Sequence, residues 1–508
     1  MRRRTEIDLK DKDVTVVGLA RSGVGSANLL AELGANVTIT DIKAESELKD
    51  SIPRLSPSVK LVLGSHPEDI FLSSDILIVS PGVPLSIPPI SKAREKGIPV
   101  VGELELAYQI IKSIVNSQQS SKQSSVNSHL SLVKPDDQST NSSPQFLAVT
   151  GTNGKSTTTA LLDFMMKKGG FRTILGGNVG NALTEEILKA YPPIPPLLRG
   201  GEGGVVDYIV AEVSSFQLES IKDFRPKVAV IVNITPDHLD RYHSFKEYAD
   251  AKARIFENQR EGDFLVLNKD DPELMKIVTE NLEGRSKKPA IFYFSRKKDV
   301  IGVYFRKGVI YCNLPHPSLP TSHFPLVTSN EIRIKGVHNL ENAMAASAMA
   351  LLAKCPIEAV TDSLREFPGL EHRLEFVREI DGVKYFNDSK GTNVGAVIKS
   401  LESFLNPIIL IAGGRDKAGD FSLLRQLVRE RVKAIVLIGE ASEKIKRTLG
   451  NLTETVRAKD LREAVNISRS MAVEGDIVLL SPACASFDMF IDFEDRGRKF
   501  KDIVMEMS

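Results

Sequence analysis

The chain has 508 residues, of which 42% are hydrophobic and 26% charged, and its formal net charge is +1. This length predicts about three domains. The balanced charge argues against a nucleic-acid partner, so we expect small-molecule ligands.

The N-terminal stretch lacks the apolar segment of a secretory signal, and no run of about 18 apolar residues suggests a membrane span. The cysteines Cys312, Cys355 and Cys484 are far apart, which argues against a disulfide framework and a paired-cysteine metal site. We therefore expect a cytoplasmic protein in a reducing compartment.

The first segment, residues 1–106, has the pattern of an α/β domain. From Asp13 to Asp41 a buried strand, a glycine-containing turn, an amphipathic helix and a second strand ending in an acid follow one another. The turn GLARSG has Ala20 where the dinucleotide fingerprint G-x-G-x-x-G has its middle glycine. This departure weakens, without removing, the interpretation as an NAD-dependent oxidoreductase.

Two stretches have compositions unlike a packed core. The first lies in the predicted linker 107–145, where Val115–Gln145 is dominated by Ser, Gln, Asn, Lys and Asp, and we predict a disordered insertion. The second, at 191–204, is rich in proline and glycine and predicts an irregular loop.

A phosphate-binding loop is predicted where the apolar run FLAVT precedes GTNGKSTT. The usual spacing G-x-x-x-x-G-K-S/T requires a glycine where this chain has Val149. Backbone N–H groups and the helix N-terminus can still surround phosphate oxygens, with a lysine neutralising the β- and γ-phosphates and a hydroxyl ligating Mg²⁺. The residues concerned are Gly151, Thr152, Asn153, Gly154, Lys155, Ser156 and Thr157. A plain strand-to-helix turn with a solvated lysine, or a nucleotide-binding switch protein, are the alternatives.

For each of four further residues, the sequence allows either a role in binding or catalysis or a purely structural role. Glu212 ends a strand and suits Mg²⁺, or is an ordinary exposed acid. His238 follows an apolar run and is by itself more often structural, and Lys252 has the spacing of a solvated helix lysine. Asn339, three residues before Asn342 at a helix start, suits an adenine edge or simply caps the helix.

These motifs together resemble the Mur ligases, ATP-dependent amide-forming enzymes of peptidoglycan precursor synthesis. GTNGKSTT is similar to their shortened ATP loop, although folylpolyglutamate synthetase is similar there too, and AEVSSFQLE, NITPDHLDRYHS and GVHNLENAMAA extend the likeness. The resemblance implies three α/β domains: a Rossmann-like UDP-binding domain at 1–106, a P-loop ATPase-type domain at 146–370 and a Rossmann-like domain at 371–508.

The resemblance also assigns a catalytic site that uses ATP and two Mg²⁺ ions. Besides Lys155 and the hydroxyls of Ser156 and Thr157, it implies Glu212 and His238 as metal ligands. Lys252 would be carbamylated, which converts a cation into an anion with oxygen ligands near His238. The family residues matching Arg373 and Asp388 reach the ATP phosphates and the ribose.

The amino-acid and UDP sites resemble those of the family's D-glutamate-adding member. There the UDP part would lie near Arg21, Ser22, Asp41 and Asn178. SPACASFDMFIDFEDRG is the most specific match and implies that Ser486, Phe487 and Phe493 contact the amino acid, together with Lys390, Thr392 and Lys417 from two other motifs. D-glutamate carries two carboxylates, so lysines and hydroxyls suit it. The D-N-P-R motif of the diaminopimelate-adding relative is absent.

The implied reaction is activation of the carboxylate of UDP-N-acetylmuramoyl-L-alanine as an acyl phosphate, followed by attack of the D-glutamate amine. The alternatives are a relative adding another amino acid, including a folylpolyglutamate-synthetase-type ligase, and, less favoured, an oxidoreductase. We expect a monomer that closes its domains for catalysis, because the ATP loop and Arg373 fall in different predicted domains.

Overall fold

The structure is a computed structural model that describes residues 9–126, 143–178, 180–191, 206–238, 241–315, 323–417 and 419–507. Residues 127–142 of the predicted insertion and 192–204 of the predicted loop lie outside these ranges. The chain divides into two compact units. Unit 1 comprises Met1–Thr328 and Ala343–Ser363, and unit 2 comprises Ser329–Asn342 and Leu364–Ser508.

Unit 1 begins with a sheet of short β-branched and leucine-rich strands, of which the central ones are buried on both faces, as parallel strands require, and the edge strand Lys60–Leu63 is partly exposed. The strands are β1 (Asp13–Val17), β2 (Asn36–Asp41), β3 (Lys60–Leu63), β4 (Ile76–Val79) and β5 (Val100–Gly102). The helices are α1 (Arg21–Glu32), α2 (Glu68–Leu72), α3 (Pro88–Glu95) and α4 (Glu103–Val126), with 3₁₀ turns at Glu45–Glu47 and Ile52–Arg54. The order is β3-β2-β1-β4-β5, and every pairing is parallel.

Helix α4 corrects one prediction. Residues 115–126 belong to the stretch for which we predict disorder, yet the helix continues through them to Val126. Its first turns bury Leu104, Leu106, Ala107 and Ile110 in the core. Because these contacts nucleate the helix, each further residue needs only the small cost of propagation, which Ser and Gln can meet.

The turn between β1 and α1 explains why the middle glycine of the dinucleotide pattern is dispensable. Ala20 is exposed and has a φ of −99°, which any residue adopts. Gly23 is different, because a Cβ there would lie 1.9 Å from the carbonyl oxygen of Gly18. The close approach of α1 to β1 therefore depends on Gly23.

A second, larger sheet of unit 1 carries the predicted ATP loop. Its strands are β6 (Gln145–Thr150), β7 (Thr173–Gly177), β8 (Tyr208–Glu212), β9 (Val228–Ile231), β10 (Phe264–Asn268), β11 (Ala290–Ser295), β12 (Gly302–Arg306), β13 (Val309–Asn313) and β14 (Phe324–Thr328). The helices are α5 (Lys155–Lys168), α6 (Leu183–Ala190), α7 (Ser215–Leu218), α8 (Phe245–Ala253) and α9 (Pro272–Leu282), with a 3₁₀ turn at Arg254–Phe256. Helices α10 (Val337–Leu352) and α11 (Ile357–Glu366) contribute residues to both units.

The order of this sheet places β6 at a topological switch point. The order is β14-β13-β12-β11-β10-β9-β6-β8-β7, parallel from β7 to β12 and antiparallel from β12 to β14. Strand β6 pairs with β8 on one side and β9 on the other. Ligands of open α/β sheets bind at the carboxyl ends of strands at such a point.

The two sheets of unit 1 share one core. Leu30 and Ile39 of the first sheet region belong to the same apolar cluster as Phe146 and Ile209 of the second. Two buried carboxylates at the start of α4 add polar ties. Glu103 accepts from the backbone and hydroxyl of Thr184 at 2.9 and 3.2 Å. Glu105 accepts from three consecutive backbone N–H groups, those of Lys222, Asp223 and Phe224.

Unit 2 is a third α/β layer structure. Its strands are β15 (Glu375–Ile380), β16 (Val383–Asn387), β17 (Ile408–Gly413), β18 (Val432–Ile438), β19 (Glu454–Arg457) and β20 (Ile477–Leu480). The helices are α12 (Val394–Glu402), α13 (Arg425–Arg431), α14 (Ser442–Leu449), α15 (Leu461–Met471) and α16 (Phe493–Glu506), with a 3₁₀ turn at Phe421–Leu424. The order is β15-β16-β20-β17-β18-β19, with only the β15/β16 pair antiparallel. Apolar clusters cover both faces.

The predicted α/β class with largely parallel sheets is confirmed. The antiparallel extension β12 to β14 was not predicted. Within the ranges that the structure describes, none of the helices combines the length and the apolar character needed to cross a membrane.

We predict that Gly23→Ala lowers the melting temperature, because overpacking a site of this kind costs about 1–3 kcal/mol. Gly82→Ala is the matched control, since a Cβ there meets no atom within 4 Å. Thermal denaturation followed by circular dichroism measures both. Equal melting temperatures for the two variants would contradict the proposed close approach.

Candidate active site

The loop between β6 and α5 has the conformation expected of a phosphate-binding loop. Gly154 is the N-cap of α5 and has a φ of +82°, a left-handed conformation that favours glycine. The fourteen-residue helix that follows directs its first backbone N–H groups toward the loop. The sequence GTNGKS therefore has the geometry of an anion-binding helix N-terminus despite Val149.

The loop is held from the neighbouring strand β9. Asn233 accepts from the backbone N–H groups of Thr152, through its carbonyl at 2.9 Å, and of Asn153, through its side chain at 2.8 Å. Its amide donates to the carbonyl of Asn153 at 3.0 Å. The hydroxyl of Thr152 bonds to the carbonyl of Thr235 and to Tyr248, both at 3.0 Å. Asn233 and Tyr248 were not predicted, although an asparagine directly after the run VAVIV was a usable signal.

Two lysines converge on one carbonyl of this loop. The ammonium of Lys155 donates to the carbonyl oxygens of Gly151 at 2.9 Å and Thr152 at 2.8 Å. Lys252, from α8, donates to the same Gly151 oxygen at 2.9 Å and is only 2% exposed. Burial, and secondly the charge of Lys155, holds the pKa of Lys252 well below its ordinary value. The interpretation of Lys252 as a solvated helix lysine is wrong.

Glu212 lies at the carboxyl end of β8, the other neighbour of β6, and is 2% exposed. Its Oε1 accepts from the amide of Asn178 at 2.6 Å, whereas no residue that the structure describes donates to the buried Oε2. A buried carboxylate oxygen without a donor is costly unless a cation meets it. The alternative of an ordinary exposed acid is wrong, and the residue fits a cation ligand.

The remaining predicted metal ligands differ in exposure. Ser156 and Thr157 are buried in the first turn of α5. His238 is half-exposed, has a φ of +54°, and lies edge-on to Phe216 with ring centroids 4.9 Å apart. Its Nε2 is 3.7 Å from Asp237. In the described part of the chain no three His, Cys, Asp or Glu side chains form a metal cluster, so Mg²⁺ would need hydroxyls, water and phosphates in addition to Glu212 and His238.

The predicted UDP-binding residues fall at the turn after β1 and its neighbourhood. Arg21 donates to the carbonyl of Asn178 at 3.2 Å, which joins the first sheet to the end of β7. Asp41 accepts from the backbone N–H groups of Leu19 at 2.7 Å and Lys43 at 2.9 Å, so its carboxylate holds the turn. Ser22 is half-buried in the first turn of α1.

In unit 2 the two predicted adenine-site asparagines contact each other. The amide of Asn342 donates to the side-chain oxygen of Asn339 at 3.2 Å, and both are buried. The amide of Asn339 donates to the carbonyl of Lys335 at 2.7 Å. Since Asn339 is the third residue of α10, the alternative that it caps the helix is wrong.

Asp388, which we predict near the ribose, is directed into unit 2. It is 6% exposed, and its Oδ2 accepts from the hydroxyls of Ser400 at 2.6 Å and Ser481 at 2.7 Å. Burial raises the pKa of Asp388 to about 6, and the nearby charge of Arg373 opposes this rise. These contacts tie the loop after β16 to α12 and to the loop after β20.

The predicted D-glutamate residues are partly brought together. The ammonium of Lys390 lies 3.6 Å from the centroid of the Phe493 ring. Ser486 is 2% exposed, whereas Phe487 is 60% exposed. Thr392 is half-buried and Lys417 is exposed. The loops after β16 and β20 and the start of α16 therefore meet, with Phe487 open to solvent.

Family models match three segments of the chain. The Mur ligase MurD-like N-terminal domain matches residues 12–102, the Mur ligase middle domain 149–350, and the Mur ligase glutamate ligase domain 372–484. They fall on the three predicted α/β domains.

Relatives match over almost the whole length. The UDP-N-acetylmuramoylalanine--D-glutamate ligase of Geotalea daltonii is 44% identical over 507 residues, 99% of each chain. That of Citrifermentans bemidjiense is 44% identical over 500 residues, 98% of each. A pseudomurein peptide ligase type C from Methanothermus fervidus has the same fold, with a TM-score of 0.54, 19% identity, and coverage of 98% of this chain and 100% of that one. The chain therefore belongs to the Mur ligase family.

Proposed function

We propose that this protein is the ATP-dependent ligase that joins D-glutamate to UDP-N-acetylmuramoyl-L-alanine in peptidoglycan precursor synthesis. The observation that carries the proposal is the pair Lys155 and Lys252 on the Gly151 carbonyl, at the N-terminus of α5. The names of its full-length relatives support the choice of substrates.

The chemistry begins at the phosphate loop. The N-terminus of α5 and the ammonium of Lys155 would bind and neutralise the β- and γ-phosphates of ATP. The carboxylate of UDP-N-acetylmuramoyl-L-alanine attacks the γ-phosphorus, an O–P bond forms, and ADP leaves. The D-glutamate amine then attacks the acyl carbon, the C–O bond to phosphate breaks, and the amine loses a proton. ATP is needed because a free carboxylate is a poor acyl donor.

Magnesium fits the residues present, because none of the residues that the structure describes donates to the buried Oε2 of Glu212. Glu212, His238 and the hydroxyls of Ser156 and Thr157 would hold the two ions. When bound, Mg²⁺ would supply positive charge to the phosphate oxygens. Asn178 would orient Glu212 through its 2.6 Å hydrogen bond.

Carbamylation of Lys252 is favoured by its surroundings. Only a neutral amine reacts with CO₂, forming an N–C bond and releasing a proton. A lowered pKa raises the neutral fraction at a given pH, and Lys252 is buried beside a second lysine. The product is an anion, which would pair with Lys155 instead of repelling it and would support a metal ion.

Among a panel of amino acids, D-glutamate is expected to give the highest rate of phosphate release from ATP with UDP-N-acetylmuramoyl-L-alanine as acceptor. Two carboxylates on the amino acid match the cations Lys390 and Lys417. A coupled phosphate assay measures this. A preference for another amino acid would favour a sibling ligase. ATP turnover without any ligated product would favour a nucleotide-binding switch.

Lys155→Ala is expected to lower kcat by at least about a hundredfold while the fold is retained, because a preorganised cation at the transferred phosphoryl group is lost. Lys167→Ala on the same helix is the control. It removes an exposed lysine at the end of α5 away from the loop, and its buried partner Asp163 keeps the hydroxyl of Thr173 as a donor. Near-normal ligation by the Lys155 variant would overturn the assignment of the loop.

Lys252→Ala is expected to lower kcat about a hundredfold, in the range of lost metal-supporting groups, and added acetate or propionate is expected to restore part of the activity. Rescue works because a small carboxylate can replace the carbamate in the cavity. Lys246→Ala, which removes an exposed lysine of α8 paired with Asp250 and Glu280, should need no rescue. Normal activity of the Lys252 variant without carboxylate would remove this residue from the site.

A further inference from the structure

Arg496 is a fully buried cation in α16. Its relative exposure is 0%, and among the described residues it is the largest side chain that is fully buried. Among the described residues no carboxylate lies within ion-pair distance of it. Burying a guanidinium without an anionic partner is expensive, so the hydrogen bonds that it makes must be numerous and well placed.

Those hydrogen bonds go to two loops that are far apart in the sequence. The Nε atom donates to the hydroxyl of Ser389 at 2.9 Å, and one terminal nitrogen donates to the Ser389 carbonyl at 2.8 Å. Both terminal nitrogens also face the carbonyl of Cys484 at 3.4 Å. Ser389 follows β16 and Cys484 follows β20, so one planar fork connects the carboxyl ends of two adjacent strands.

The residues beside these partners are the ones assigned to the amino-acid site. Lys390 follows Ser389 directly, and Ser486 lies two residues after Cys484. The hydroxyl of Ser389 also donates to the carbonyl of Phe493 at 2.9 Å, and the Phe493 ring lies under the ammonium of Lys390. One guanidinium therefore fixes the spacing of Lys390, Ser486 and Phe493.

We propose that Arg496 is a positioning residue for the amino-acid substrate, which holds the loops after β16 and β20 at the separation that D-glutamate requires. The proposal rests on the proposed function. Arg496 acts through Ser389 and Cys484, without contacting the substrate itself, since it is wholly buried.

The experiment measures KM for D-glutamate, KM for ATP and kcat in the full-length wild type, Arg496→Lys and Ser389→Ala. Lysine keeps the positive charge but lacks the planar guanidinium whose donors reach both loops. Arg496→Lys should therefore raise KM for D-glutamate about tenfold. Ser389→Ala removes the hydroxyl that accepts from Arg496 and donates to the Phe493 carbonyl, and should raise KM for D-glutamate about threefold. KM for ATP and kcat should stay within about twofold of the wild type in both variants.

The control is Arg498→Met on the same helix, which removes an exposed arginine and should leave all three constants unchanged. An unchanged KM for D-glutamate in both test variants, even with lowered melting temperatures, overturns the proposal. So does a parallel rise of KM for D-glutamate and ATP. If Arg496→Lys does not fold, Ser389→Ala decides by the same criterion. Failure of the wild type to use D-glutamate at all would instead overturn the proposed function.

Discussion

A loop that binds an anion through its backbone must be rigid before the anion arrives, because its N–H groups have to stay aimed at one point. Here that rigidity comes from the opposite side of the loop, where Asn233 holds the backbone of Thr152 and Asn153 and Thr235 bonds to the hydroxyl of Thr152. Both partners follow β9, and β9 can reach the loop only because β6 is an interior strand at a switch point. The order of the sheet thus holds GTNGKS in this loop conformation without the usual first glycine.

Two buried basic side chains, Lys252 and Arg496, donate their hydrogen bonds to uncharged acceptors. Lys252 donates to the Gly151 carbonyl, and Arg496 donates to a hydroxyl and to backbone carbonyls. A carbonyl satisfies a donor without cancelling its charge, whereas a carboxylate would cancel it. Arg496 therefore keeps its positive charge inside unit 2, whereas burial and the charge of Lys155 favour the neutral amine of Lys252. The buried oxygen of Glu212 is the complementary case, an anionic group to which no described residue donates.

Local sequence patterns were sufficient for the elements and the loop. The strand before Gly151, the helix beginning at Lys155 and the strand ending at Glu212 all follow from apolar runs and turn residues. Burial could not be predicted in the same way, because it depends on which elements pack together. Lys252 has the spacing of a solvated lysine, and only the packing of α8 against the loop makes it a buried one. The helix through Val126 was missed for a related reason. Composition indicates only the average structural preference of a segment, whereas a helix that is already nucleated can continue through residues of low helix propensity.

The carboxylates at the start of α4 have a consequence for how the molecule loses its structure. Glu103 and Glu105 bond to elements of the larger sheet, and one apolar cluster continues from the first sheet into the second. Neither sheet of unit 1 can open without exposing the core of the other and leaving these buried carboxylates without their hydrogen-bond donors. The two sheets should therefore unfold in a single cooperative step. Family models nevertheless divide this region at residues 12–102 and 149–350. The segments that sequence comparison recognises are therefore different from the segments that can melt independently.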